Sequence, residues 1–498
     1  WWGGAVADGL AMPFGGAAHQ RDLAVNAGVL DDPTDGANQS APLLVSSTGR
    51  YVWSGRPFDF AFDGAGRLTI AGEQVVVDRS GGSLRSAYRA AADRFFPASG
   101  RRPAEAMFTA PQYNTWIELP YHPTQEGVLD YARGVLDHGF PPGLIMIDDR
   151  WSVDYGTWRF EPAAFPDPRA MIDQLHDWGF SVMLWLVPFL SPDSEVSRRA
   201  VSQGWVIRDA DGEPAVRRWW NGYSTVLDLT HSRAVGWLQG ELRALQQLGV
   251  DGFKLDAGDL RDHRADDLSA TGNGPVDQCE AWARLATEYR FNELRACWKA
   301  GGQPLAQRLH DKPRSWGRDG LLSLIPEGIA QGLIGHAFNC PDMIGGGELG
   351  SFAGGDPIDA ELFVRFAQCS ALFPMMQFSL APWRVLDDQH LSAVKSAVEL
   401  RQSLLPMIME LVAGAARTGE PVLRPLAYHH PGYELVDDQF LLGSDLLVAP
   451  VLAQGSTERA VLIPPGRWAG PNGSEVDGPV ALEVPVDIAS LPHWRRVG

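Results

Sequence analysis

Cysteine and lysine are both scarce in this chain. Its 498 residues include 4 Cys, namely Cys279, Cys297, Cys340 and Cys369. They lie far apart, with no CxxC pair and no Cys/His metal spacing, so reduced, mostly buried thiols are expected. Lysine occurs only at Lys254, Lys299, Lys312 and Lys395. With 42 Lys and Arg against 61 Asp and Glu, the formal charge is −19. Phosphate and anionic lipid binding both depend on clustered cations, so no nucleic acid and no membrane surface is expected as a partner. No apolar run approaches the roughly 18 to 20 residues of a membrane span, and a soluble protein is expected. HExxH, EF-hand and GxxxxGK[ST] patterns are missing. The run Asp31-Asp32-Pro33-Thr34-Asp35-Gly36 is only superficially like a calcium loop. The chain starts at Trp1 rather than Met, which leaves the compartment open.

Tryptophan is abundant, with 18 Trp beside 10 Tyr. Flat amphipathic rings in such numbers suit sugar recognition, although their default use is core packing. The rhythm of the chain changes twice. Up to about residue 103 it reads as β-rich, with short runs such as Pro42–Ser47, Phe58–Phe62 and Gln74–Val77 between Gly- and Asp-rich turns. From 104 to about 414, short apolar runs alternate with amphipathic stretches. Leu144–Ile147, Val182–Val187 and Gly252–Asp256 read as strands. Pro168–Trp178, Arg233–Leu248 (opened by Thr230 or Ser232) and Val276–Trp298 read as helices. Leu305–Leu309, Leu321–Gln331 and Ala337–Cys340 continue the pattern. Repeated βα units over this length predict a (β/α)8 TIM barrel. From 415 to 498 the β rhythm returns, in Phe440–Val448 and Ala460–Ile463. The expected architecture is therefore α/β, a barrel flanked by an N-terminal and a C-terminal β-sandwich.

Acidic residues fall just after the apolar runs of the barrel segment. Asp148 and Asp149 follow Leu144–Ile147, Asp256 and Asp259 follow Gly252–Leu255, Asp311 follows Leu305–Leu309, and Asp342 follows Ala337–Cys340. The C-terminal ends of barrel strands are where active sites sit. Carboxylates on four strand ends, with tryptophans among them, describe an acidic aromatic pocket for a neutral polar ligand. Paired carboxylates without a metal suit glycoside hydrolysis, in which one is nucleophile or base and the other is acid.

Phe253-Lys254-Leu255-Asp256-Ala257-Gly258-Asp259 resembles the nucleophile strand of glycoside hydrolase family 31. Trp316-Gly317-Arg318-Asp319 is similar to that family's acid/base motif. Gly443-Ser444-Asp445-Leu446-Leu447-Val448-Ala449-Pro450, with Pro464-Pro465-Gly466-Arg467-Trp468, resembles its C-terminal domain. Cys340-Pro341-Asp342-Met343-Ile344-Gly345-Gly346 carries Pro341 where the α-glucosidases of the family have His. Trp1-Trp2-Gly3-Gly4, Arg218-Trp219-Trp220-Asn221-Gly222 and Arg308-Leu309-His310-Asp311 instead resemble its α-galactosidase-like branch.

The resemblance implies a retaining, exo-acting α-glycosidase acting on terminal α-galactosides. The same scaffold also serves α-glucosidases, α-xylosidases and transglycosylases, and a non-catalytic carbohydrate-binding protein is a further alternative. Asp256 is the implied nucleophile, against the plainer role of capping the next helix. Asp319 is the implied acid/base, against an Asx turn before Gly320. Retention calls for the Asp256 and Asp319 carboxyls roughly 5 to 6 Å apart. Asp148 and Asp149 would accept from sugar hydroxyls, or pair with Arg150. Lys254 and Arg308 would contact hydroxyls or form salt bridges, and Asp342 would orient Arg308 or bind sugar. Trp116, Trp185, Trp220, Trp298 and Trp316 are candidates to wall the sugar, any of which could be core instead. Asp259 is expected to support the site, and Asp228 and Asp251 to be structural. The mechanism calls for a carbohydrate substrate and neither metal nor organic cofactor. Homo-oligomers are common in the family, but no residue here specifies a symmetry.

Overall fold

The computed structural model describes residues 1–24, 39–272, 274–348, 350–353 and 358–497. The Asp31–Gly36 run lies outside them. Eight parallel strands form the central sheet: Gln112–Asn114, Leu144–Ile147, Ser181–Leu186, Gly252–Leu255, Phe291–Leu294, Gln307–Arg308, Asn339–Cys340 and Gln377–Phe378. The first seven pair in chain order, and the eighth returns to the first, with Gln377 opposite Gln112. Across the seam between the seventh and eighth, a bridge joins Ile344 to Phe378. The sheet is thus a nearly closed (β/α)8 barrel.

The second and third strands are apolar runs buried on both faces, as parallel strands under helices must be. The barrel interior is more polar than its strands suggest. Gln377 donates to Gln112 at 2.9 Å and to Glu293 at 2.7 Å, and Asn114 donates to Gln377 at 3.2 Å. Gln112, Asn114, Glu293 and Gln377 thus satisfy one another in a shared network.

Outer helices begin where their caps allow. Asp167 accepts from the Ala170 N–H ahead of Pro168–Asp177, with Pro168 in the first turn. Ser232–Gln247 is capped by His231 rather than by Thr230 or Ser232. The expected helix Val276–Trp298 is a shorter helix, Pro275–Ala286, followed by the fifth barrel strand and then the short strand Cys297–Trp298. Two polar residues disguise that fifth strand. Asn292 donates to the carbonyls of Tyr289 (2.7 Å) and Pro304 (3.0 Å), and Glu293 takes part in the interior network. A strand whose two central side chains are a buried amide and a buried carboxylate shows no apolar run.

Before the barrel lie two antiparallel sheets. One contains Trp2–Ala5, Gln39–Val45, Arg50–Trp53 and Val76–Arg79, the other Ala18–Asp22, Phe58–Asp63 and Leu68–Gly72. Phe58, Phe60 and Phe62 alternate inward into the core. Cys297–Trp298 joins the first sheet in parallel beside Gln39 and Ser40. The Gln39 amide then donates to the carbonyls of Arg308 (2.6 Å) and Arg295 (3.2 Å).

After the long helix Asp388–Thr418, closed by Gly419 at φ 71°, comes a six-stranded antiparallel sheet. Its long hairpin, Glu458–Ala469 with Glu475–Pro485, helps enclose a separate small core around Leu447, Trp468 and Trp494. All four cysteines are free and buried. No helix among the described residues is long and apolar enough to cross a membrane.

Candidate active site

A cavity of about 500 Å³ opens at the C-terminal end of the barrel, within the size range of small-molecule sites. Its deep part is built from consecutive strands. Asp148 follows the second strand, Trp185 lies on the third, Lys254 lies on the fourth, Asp256 follows it, and Arg295 follows the fifth. Lys254 and Asp256 share a face because strand side chains alternate.

Three donors fix the Asp256 carboxylate. Arg295 Nε donates to Oδ1 at 2.7 Å, Trp185 Nε1 to Oδ2 at 2.8 Å, and the Ala257 N–H to Oδ1 at 2.8 Å. The last contact depends on a sharp turn in which Ala257 and Gly258 take φ of 51° and 70°. For alanine this left-handed conformation costs on the order of 1 kcal/mol. Glycine is required next, because a Cβ on Gly258 would lie 2.6 Å from the Trp282 ring. Burial alone would push the Asp256 carboxyl up. The cations of Arg295, Lys254 and Arg308 and the Trp185 N–H instead hold it well below the usual carboxylate range. Asp256 is therefore an ionised, fully hydrogen-bonded carboxylate on the cavity floor.

Beside it, Lys254 Nζ donates to Asp148 Oδ2 at 2.8 Å, with both side chains 3% exposed. Beneath them Arg308 is fully buried and meets Glu293 (3.1 Å), Asp311 (2.9 Å) and Asp342 (2.5 Å). Asp311 reaches the cavity wall and lies 3.7 Å from Arg295 Nη1. Arg295 thus stands between two carboxylates that face one space.

The upper wall comes from a hairpin, Val216–Trp219 and Gly222–Val226, whose tip carries Trp220 and Asn221. The Trp220 ring lies 5.2 Å from the Arg295 guanidinium, a cation–π contact that ties the hairpin to the floor. Trp116 donates to the Gly347 carbonyl at 2.6 Å on the opposite wall. Glu348, on the same wall, has its carboxyl raised by burial and by the charges of Asp311 and Asp319.

Of the residues expected at the site, Asp148, Trp116, Trp185, Trp220, Lys254 and Asp256 line this cavity. Asp149 does not. Its oxygens are taken by Tyr155 Oη at 3.1 Å and by the Asn221 amide, so it latches the hairpin tip. Burial, then the neighbouring Asp148 charge, raises its carboxyl to about 6. Arg308 and Asp342 are 0% exposed and act on one another rather than on the cavity. Trp298 corrects the expectation of a stacking ring, because it is fully buried beside Gln39–Val45. Trp316 is half-buried and donates to Asp359 at 2.8 Å, away from the cavity lining. Asp319 is exposed and accepts from the Ser315 hydroxyl at 2.8 Å, outside the lining residues.

Arg295, Arg218, Arg261 and Glu348 line the cavity without having been singled out in the sequence. The signal for Arg295 was its place one residue after a strand, and it was lost when that strand was read as helix. No described group of His, Cys, Asp and Glu is arranged to hold a metal ion.

A nearly closed barrel with an ionised carboxylate at the C-terminal end of its fourth strand is a glycosidase-type architecture. The chain belongs to glycosyl hydrolase family 31: residues 106–411 match the family's TIM-barrel domain and residues 419–498 its C-terminal domain. It is 35% identical over 433 residues to the myogenesis-regulating glycosidase of Mus musculus, covering 83% of this chain and 60% of that protein. To the 1,3-alpha-isomaltosidase of Kribbella flavida it is 30% identical over 424 residues, covering 71% of this chain and 56% of that protein. The chain thus spans well under two thirds of either relative. A Flavobacterium johnsoniae GH31 dextranase complexed with glucose has the same fold, with a TM-score of 0.82 at 19% identity over 97% of this chain and 63% of that one.

Proposed function

We propose that this protein is a retaining, exo-acting α-glycosidase that hydrolyses terminal α-galactosides. The observation that carries the reading is the Asp256 carboxylate, held ionised on the cavity floor by Arg295 and Trp185. Asp256 attacks the anomeric carbon as the glycosidic bond to the leaving oxygen breaks, and a second carboxyl gives that oxygen its proton. Water then hydrolyses the covalent β-glycosyl enzyme with the same second carboxyl acting as base. The Trp-Gly-Arg-Asp motif favours Asp319 for this role. Asp311 faces the same space as Asp256 across Arg295, but its two guanidinium partners, Arg308 and Arg295, suit a fixed carboxylate rather than a proton donor. Asp148 and Lys254 bind hydroxyls of the glycone, and Trp185 and Trp220 wall its ring. Carbohydrate is the only partner that the mechanism requires.

Pro341, in place of the α-glucosidase His, supports galactose over glucose. The name of the Kribbella relative supports the second reading, an α-glucosidase or related enzyme on the same scaffold. Parallel rate measurements on 4-nitrophenyl α-galactoside, α-glucoside and α-xyloside, with Asp256→Ala as control, separate the two. A dominant galactoside rate abolished in the variant is expected. A dominant glucoside rate overturns the choice of glycone, and a rate that survives Asp256→Ala overturns the mechanism.

A further inference from the structure

The hairpin that walls the cavity has a second, outward face. Arg218 and Tyr223 are directly opposite one another in its antiparallel ladder, so their side chains project to the same side. Arg218 lines the cavity, which puts that side at the rim. Tyr223 is 62% exposed, among the most exposed large rings in the described residues. It lies three positions from Trp220, the ring packed against Arg295 and through it against Asp256.

The hairpin carrying this exposed ring is held from beneath. The Arg217 guanidinium pairs with Asp267 and donates to the Asp262 carbonyl at 3.1 Å. Trp219 Nε1 donates to Ser224 Oγ at 3.0 Å, the tip is latched by Asn221 on Asp149, and Val226 pairs with Phe189. A ligand meeting Tyr223 therefore meets a pre-ordered surface and loses little entropy in ordering it. Tyrosine offers a flat apolar face with a polar edge, which matches the face of a pyranose ring and its equatorial hydroxyls.

We propose that the outer face of this hairpin is the subsite for the leaving-group sugar, with Tyr223 as its stacking platform and Arg218 donating to its hydroxyls. The inference rests on the glycosidase reading above. It names the substrate as an oligosaccharide whose penultimate residue is a pyranose. A glycone seated between Asp256 and Trp220 then extends its α-linked neighbour over the rim onto Tyr223.

The test compares Tyr223→Ala and Tyr223→Phe with the parent on two substrates of one glycone. These are an α-1,6-linked galactosyl-glucose disaccharide and α-galactosyl fluoride, which has no second ring. For Tyr223→Ala, kcat/KM on the disaccharide is expected to fall about tenfold more than on the fluoride, and Tyr223→Phe is expected to keep the parent ratio. Equal losses on both substrates, or none on the disaccharide, overturn the subsite while leaving the glycosidase reading in place. A companion titration in the Asp256→Ala background measures binding of the disaccharide and of free galactose. Tyr223→Ala is expected to weaken the disaccharide selectively, and unselective weakening overturns the subsite. If the parent cleaves neither substrate but the disaccharide binds through Tyr223, the subsite stands and the galactosidase reading fails.

Discussion

The floor and the rim of the cavity are built on opposite physical plans. On the floor every charge is buried and has a fixed partner: Lys254 with Asp148, Arg295 with Asp256, Arg308 with Glu293 and Asp342. At the rim Arg218 and Tyr223 face solvent, and Asp319 accepts from a nearby serine hydroxyl. Buried ion pairs are costly to assemble but very costly to break singly, because the survivor is left desolvated. A floor of this kind fixes geometry and protonation and tolerates little change. A rim of exposed side chains on an anchored hairpin can vary at small cost to stability. On the function proposed above, the difference teaches that the nucleophile and the groups that meet the leaving sugar are held by separable parts of one cavity.

The largest effect should come from the floor. Asp256→Ala is expected to lower kcat by on the order of 10⁴-fold or more, the loss typical of a removed nucleophile, while a circular-dichroism spectrum stays that of the parent. Next is the identity of the proton donor, which sets a floor-linked carboxylate against a rim one. Asp319→Ala is expected to lose roughly 10² to 10⁴-fold, the usual worth of a general acid/base. Azide should restore part of its rate and yield a glycosyl azide of retained configuration. Should Asp311→Ala give that azide product instead, the donor belongs to the floor and the comparison must be redrawn.

Stability should follow the same division. Lys254→Met leaves Asp148 buried without its cation and is expected to cost about 3 to 5 kcal/mol in denaturant unfolding. Lys254→Met with Asp148→Asn should recover part of that loss, and Tyr223→Ala should move stability by less than about 0.5 kcal/mol. The latch between floor and rim has a pH-dependent effect. Asp149 titrates near 6 in the fold, above the ordinary aspartate value of about 3.9. The folded state thus holds this proton more tightly than the unfolded chain. Its contribution is complete below about pH 4 and is lost as pH rises through 6, amounting to at most about 3 kcal/mol. Asp149→Asn should flatten that part of the stability profile between pH 4 and 6. Asp262, also raised to about 6 by burial, keeps the rest of the slope. An unaltered profile would mean that Asp149 is ionised in the fold.

What could be read from the residues follows from how the barrel is filled. Leu144–Ile147 and Ser181–Leu186 are apolar runs, so their ends, with Asp148 and the Trp185 wall, were legible. Gly252–Leu255 was legible despite Lys254, because its motif is distinctive. The fifth to eighth strands are two to four residues long and carry Asn292, Glu293, Gln307, Asn339 and Gln377. The sixth and seventh were nevertheless read within the apolar runs Leu305–Leu309 and Ala337–Cys340, whereas Asn292, Glu293 and Gln377 meet their burial with hydrogen bonds and left the fifth and eighth strands unread. Arg295 was lost with the fifth strand. The opposite error befell Trp298 and Trp316. A tryptophan's identity does not say whether its ring meets solvent, core or ligand, and that depends on contacts with residues distant in the sequence, Ser40 for Trp298 and Asp359 for Trp316.

Gln39 has a consequence for how this chain can be cut or recombined. Its amide, arriving from the sheet ahead of the barrel, satisfies the backbone carbonyls of the two arginines that organise the carboxylates. A barrel separated from that strand would keep Arg295 and Arg308 but leave both carbonyls buried and unmet, at roughly 1 to 3 kcal/mol each. The smallest piece worth expressing, grafting or evolving therefore includes Gln39–Val45. A chimera that exchanges the leading sheets between relatives should be judged first by whether a glutamine arrives at that point.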